Sequence, residues 1–145
     1  MKYASHVASV RLFLLCLVLV AVAAVVWAAA TAPTVASTSP AKNAKTVDVA
    51  TKITVTFSTA MDAKSSSAFQ MQNGRGTNAT PLTGFTTSWS DDATTLTIQP
   101  AQALPAGANI HCTITTDAKD KDGNALAAAY AWHFKTAPAP APATN

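Results

Sequence analysis

The residues able to do chemistry fall into two places. His111 and His133 lie in two alternating apolar/polar segments that close the chain. If those segments pair as a hairpin, the imidazoles face each other on its outer side, with Asn109, Thr113 and Lys135 nearby. Two imidazoles across a strand pair can hold a divalent transition metal. Tight, selective binding wants more ligands than two, and the Lys135 ammonium opposes a cation, so the expectation is a pair of solvated polar residues. The second place is Asp117 to Asn124, D-A-K-D-K-D-G-N. A calcium loop of the EF-hand kind needs oxygen ligands at alternating positions before its glycine and a bidentate carboxylate at its end. Counting back from Gly123, Asp120 and Asp122 fit, but Ala118 stands at the first position and Ala129 at the last. Lys119 and Lys121 add positive charge, and Asp and Asn beside Gly are ordinary hairpin-turn residues, so the loop reads as a turn. His111, His133, Asp120 and Asp122 are thus the candidates for metal, and the sequence assigns no metal, cofactor or catalytic residue. There is no nucleophile elbow, no Gly-rich phosphate loop and no glutamate at all. Asn78-Ala79-Thr80 fits the glycosylation pattern and reads as loop. Met61 and Met71 read as core residues.

The elements that would position these groups follow from the spacing of apolar residues. Ala32 to Ser39 is a first edge strand, bounded by prolines that suit an edge. Lys52 to Ser58 alternates, with Ile53, Val55 and Phe57 on one face. Ala60 to Ser67 is a short crossing segment with Met61 as a core plug. Phe69 and Met71 mark a strand ending at Asn73-Gly74, and Leu82, Phe85 and Trp89 mark one or two more, with a kink near Gly84. Ser90-Asp91-Asp92 is a hairpin turn into Thr94 to Gln99, and Leu104 to Gly107 is another turn. Ala108 to Thr116 then pairs with Ala129 to Thr136. Setting Ile110 against Phe134, Cys112 against Trp132 and Ile114 against Tyr130 puts all six on one face. A slip of one residue sets isoleucine against alanine or histidine. Short strands with turns every few residues indicate an all-β antiparallel sandwich of about seven strands.

Composition narrows the function classes. Charged residues are 12% of the 145, and the net charge of +3 includes Lys2 and Arg11 near the start. The rest is close to neutral and has no basic patch interleaved with aromatics, which argues against nucleic acid as a partner. Lys2 and Arg11, the apolar run Leu12 to Trp27 and Ala28-Ala29-Ala30 have the layout of an export signal, residues 1–30, cleaved or kept as an anchor helix. Leu15 before Cys16, and the apolar run beyond it, do not make a lipidation site. Cys112 then has no partner for a disulfide within residues 31–136, and a buried thiol is expected. In the tail, residues 137–145, the Ala-Pro alternation over 137–143 reads as a polyproline spacer.

Several motifs carry a resemblance. They are T-S-P-A-K-N-A-K-T-V at 38–47, I-T-V-T-F-S-T-A-M-D at 53–62, T-L-T at 95–97 with Pro100, L-P-A-G at 104–107, D-G-N-A-L at 122–126 and W-H-F-K-T at 132–136. Together they resemble the SbsA-type bacterial Ig-like domain, a module of bacterial surface and secreted proteins. The resemblance implies an Ig-like sandwich over residues 31–136 in an exported protein of the periplasm, cell surface or extracellular space. It implies a non-catalytic spacer or adhesion/interaction domain whose partner is a protein or envelope polymer, touching membrane only through residues 12–30. The alternative is a small periplasmic metal- or ligand-binding protein. The related copper-binding CopC-like family uses a histidine at the mature N-terminus and another in the final D-G-H turn. This chain has Thr31 or Ala32 and Asn124 there, which argues against copper handling.

Overall fold

The computed structural model describes residues 31–140. Residues 1–30, read from the sequence as an export signal or anchor and containing Lys2, Arg11 and Cys16, and the end of the Ala-Pro tail lie outside the described residues. Among the described residues no helix is long and apolar enough to cross a membrane.

Period-2 alternation of apolar with Thr, Ser and His side chains gives two antiparallel sheets. The first has the order β1 (Val35–Ser39), β2 (Ile53–Phe57), β6 (Thr95–Pro100), β5 (Phe85–Trp89). The second has the order β4 (Thr80–Pro81), β3 (Phe69–Asn73), β7 (Asn109–Ile114), β8 (Tyr130–Lys135). The eighth strand beyond the seven expected comes from the two-residue β4, which pairs with the end of β3. Gly84, at φ +77°, lets the chain pass from β4 in the second sheet to β5 in the first, a conformation costly for any residue with a Cβ. Ala63–Ala68 forms a 3-10 turn capped by the Asp62 carboxylate, which accepts from the Lys64 amide.

The core lies between the facing sheets. Ile53, Val55 and Phe57 of β2 and Leu96 and Ile98 of β6 meet Phe69 and Met71 of β3, Ile110, Cys112 and Ile114 of β7, and Trp132 and Phe134 of β8. Phe69 joins the aromatic side chains: its ring stands edge-on to Phe85 at 5.3 Å and tilted to Trp132 at 6.3 Å. Met61 is fully buried at the end of the sandwich.

The hairpin register is the one set by apolar matching: Ile110 faces Phe134, Cys112 faces Trp132 and Ile114 faces Tyr130. The free edge of β8 is covered by the segment after β1. There Asn43 donates to the His133 carbonyl, Val47 donates to that of Lys135, and the Lys135 amide donates to Ala44. This covering matters because an open edge invites pairing with another chain. The sandwich is threaded end to end. Thr34 meets Ser58 where β1 begins, and Ala137 bonds to Val47 at the opposite end, where β8 finishes.

Candidate functional site

The acidic loop folds from the inside out. Asp120 is buried, and its carboxylate accepts from the Asp122 amide at 3.0 Å, the Asn124 amide at 2.8 Å and the Asn124 side chain at 2.9 Å. These contacts, led by the Asn124 side chain, hold its pKa below the usual carboxylate value against the opposing pull of burial. Gly123, at φ +88°, closes the turn by donating to the Asp120 carbonyl. The loop is also tied to the chain leaving β2: Asp62 donates to the Lys119 carbonyl and Lys121 to the Ala60 carbonyl. Ser65, buried, donates to the Lys119 carbonyl at 2.7 Å and accepts its amide at 2.8 Å. The carboxylate at 120 is therefore occupied with its own turn, while Asp122 is exposed. The sequence alone missed the burial of Asp120; its D-G-N spacing, which puts Asn124 within reach, was the available signal.

The two histidines meet as expected, each partly exposed. His111 pairs with His133 across β7 and β8, and the rings stack at 5.1 Å with 24° between their planes. Both are half-buried, because each covers the other and Gln72 of β3 lies beside His111. Desolvation, then the neighbouring His133 and Arg75, push the His111 pKa below the ordinary imidazole value. Near-parallel rings aim their lone pairs along near-parallel lines, whereas a shared metal ion needs them to converge. Among the described residues no three of His, Cys, Asp and Glu gather closely enough to hold a metal ion. Met61 and Met71, 0% and 5% exposed, keep their thioethers in the core. Cys112 is buried with its thiol pushed up to about 12 by burial. Asn78 and Thr80 are exposed around the β3–β4 connection.

Residues 29–136 match the bacterial Ig-like domain family. The chain belongs to that family. No curated protein matches it in sequence. Its Ig-like domain is similar in fold to the S-layer protein SbsC, at 23% identity and TM-score 0.54, over 79% of this chain and 15% of that one. It is also similar to PcoC, a methionine-rich copper resistance protein from Escherichia coli, at 16% identity and TM-score 0.58, over 73% of this chain and 99% of that one. A third likeness is to an L,D-transpeptidase from Mycobacterium smegmatis, at 20% identity and TM-score 0.52, over 74% and 41%. The Ig-like domain thus spans about 15% of the length of the S-layer protein. At these identities the likenesses speak for the fold.

Proposed function

We propose that this Ig-like domain is a non-catalytic structural and interaction module of the bacterial cell envelope, acting as an exported spacer or adhesion unit. The observation that carries this reading is the threading of the sandwich. The described chain enters beside Ser58 and leaves beside Val47 at the opposite end, so the domain lies in line with its own polypeptide. A domain placed in line separates whatever lies before and after it, which is what a spacer does. The Lys2–Arg11 leader and the apolar run after it support export, and the S-layer likeness supports an envelope setting. The SbsA-type motifs at 38–47 and 53–62 support that subdivision of the family. The test is fractionation of cells expressing the tagged full-length chain, followed by co-sedimentation of the purified chain with isolated envelopes. Export and co-sedimentation are expected. A chain retained in the cytoplasm that ignores envelopes overturns the reading.

A small metal-binding protein is the competing reading, favoured by the PcoC likeness and by the facing of His111 and His133. Calorimetric titration with Cu²⁺, Zn²⁺ and Ca²⁺ separates the two. Binding lost in both His111→Gln and His133→Gln favours the metal reading.

A further inference from the structure

We propose that the outer face of the second sheet is a binding strip for an extended polyanion, held by Lys42, Arg75, Lys135 and the stacked His111–His133 pair. The inference rests on the interaction-module reading and names the chemistry of its partner. Two hollows open side by side on this face. One, of about 370 Å³, is bordered by Lys42, Arg75, His111 and His133. The other, of about 300 Å³, is bordered by Lys45, His133 and Lys135. His133 belongs to both, so the positive groups form a continuous line rather than a pocket for one ion.

No carboxylate borders either hollow. Toward the histidines, β3 and its turn present Gln72 and Arg75, β7 presents Asn109 and Thr113, β8 presents Ala131 and Lys135, and the covering segment presents Lys42 and Lys45. The chain's aspartates, Asp48 apart, are gathered elsewhere. Asp62, Asp91, Asp92, Asp117, Asp120 and Asp122 stand in three segments tied together at the other end by the bonds Asp62 to Lys119, Lys121 to Ala60 and Met61 to Ala93. Like charges concentrated without a counter-charge repel one another, and a bound anion relieves that repulsion. A ligand with repeating negative groups matches a line of positive ones. The near-neutral total charge of the domain hides this separation, because the sum contains no positions.

Among polyanions, the face selects against nucleic acid. The aromatic side chains of β3, β7 and β8, apart from the histidines, turn toward the core: Phe69, Trp132 and Phe134 are buried, and Tyr130 packs partly buried against them. No broad ring is left on which bases could stack. The class that fits is a phosphate-bearing polymer, whose oxygens match the Arg75 guanidinium and the lysine ammoniums and keep their charge in mild acid. Since protonation of His111, which stands in the middle of the strip, adds charge to it, binding is expected to tighten in mild acid.

The experiment measures binding of the purified full-length chain to short-chain polyphosphate and to poly-L-glutamate, with neutral dextran and a single-stranded oligonucleotide as comparisons. Polyphosphate should bind more tightly than poly-L-glutamate, and the reverse order would overturn the assignment to phosphate. Binding should weaken by about tenfold or more between about 50 and 200 mM salt. It should weaken by about tenfold in the Lys42→Ala/Arg75→Ala double variant, two charges lost from exposed positions. It should tighten from about pH 8 to about pH 5.5, and His111→Gln should weaken that pH dependence. Unchanged binding in the Lys42/Arg75 variant, equal binding of dextran, tighter binding of the oligonucleotide, or no polyanion binding at all overturns the strip. If the chain still co-sediments with envelopes in that case, only the strip fails. If co-sedimentation is also lost, the module reading fails with it.

Discussion

Trp132 shows a gain and a cost in one side chain. Its ring is 2% exposed, packed on Phe69 and Tyr130 and opposite Cys112, while its indole N–H is buried without a hydrogen-bond partner. Cutting the ring from the core in Trp132→Ala should cost about 3–5 kcal/mol, much of the stability of a domain this small. Trp132→Phe removes an unsatisfied donor together with part of the ring, so it should cost much less, about 1.5 kcal/mol or under. Urea melts of the three proteins check both; equal losses would mean the N–H is satisfied in solution. Beside it, Cys112 has a thiol pushed up to about 12 by burial, which keeps the reactive thiolate scarce at neutral pH. Thiol reagents should leave Cys112 untouched until the domain unfolds, and non-reducing gels should show no dimer through it. A reductant-sensitive dimer band that is absent in Cys112→Ser would contradict this burial.

At the scale of elements, what could be read in advance depended on how local the cause was. The β7–β8 pairing was legible because a period-2 pattern on both strands permits one register that buries Ile110, Cys112, Ile114, Trp132 and Phe134 together. The Met61 plug and the hairpin at Ser90–Asp92 were legible for the same reason, an apolar residue or a turn cluster at a definite point. The covering of β8 by residues 43–47 was not, since it joins segments far apart in sequence through backbone atoms that any side chain would supply. Nor was the half-burial of the histidines, which depends on Gln72 and the covering segment as much as on the hairpin. That covering segment contains Thr46 at φ +55°, left-handed backbone that a β-branched residue adopts with difficulty. Thr46→Asn should stabilise the domain by about 1 kcal/mol, because asparagine tolerates that region and the exposed Thr46 hydroxyl bonds only to the neighbouring Lys45 carbonyl. A lower urea midpoint in Thr46→Asn would show that the hydroxyl contributes more than the strain costs.

For the whole molecule, acid should act in two stages. His111 has a folded pKa below its unfolded value of about 6.5. Its contribution is therefore present above about pH 6.5 and lost as pH falls through the folded value. Asp92, held low by Ser90 and then Thr94, and Asp120, held low by Asn124, follow the same sign at lower pH. Their contributions are present above about pH 3.9 and lost as pH falls through their depressed values. The melting temperature should decline first below about pH 6.5 and again below about pH 4, and His111→Gln should flatten the first decline alone. A melting temperature flat between about pH 8 and pH 5 would remove the first stage. The desolvation behind the first stage, and the Arg75 charge that adds to it, were illegible in the sequence, because Gln72 and Arg75 reach His111 only through the fold.

The end-to-end threading also determines how the domain meets force. A pull on the chain where β1 begins and where β8 finishes runs along the strands rather than across them. The bonds of Thr34 with Ser58 at one end, and of Val47 with Lys135 and Ala137 at the other, then lie in shear and carry tension together instead of parting one by one like a zipper. Resistance of that kind is a matter of the height of the barrier to rupture, not of the equilibrium between folded and unfolded chains. A domain of modest thermodynamic stability can therefore hold under a sudden load that its free energy of unfolding alone would not suggest.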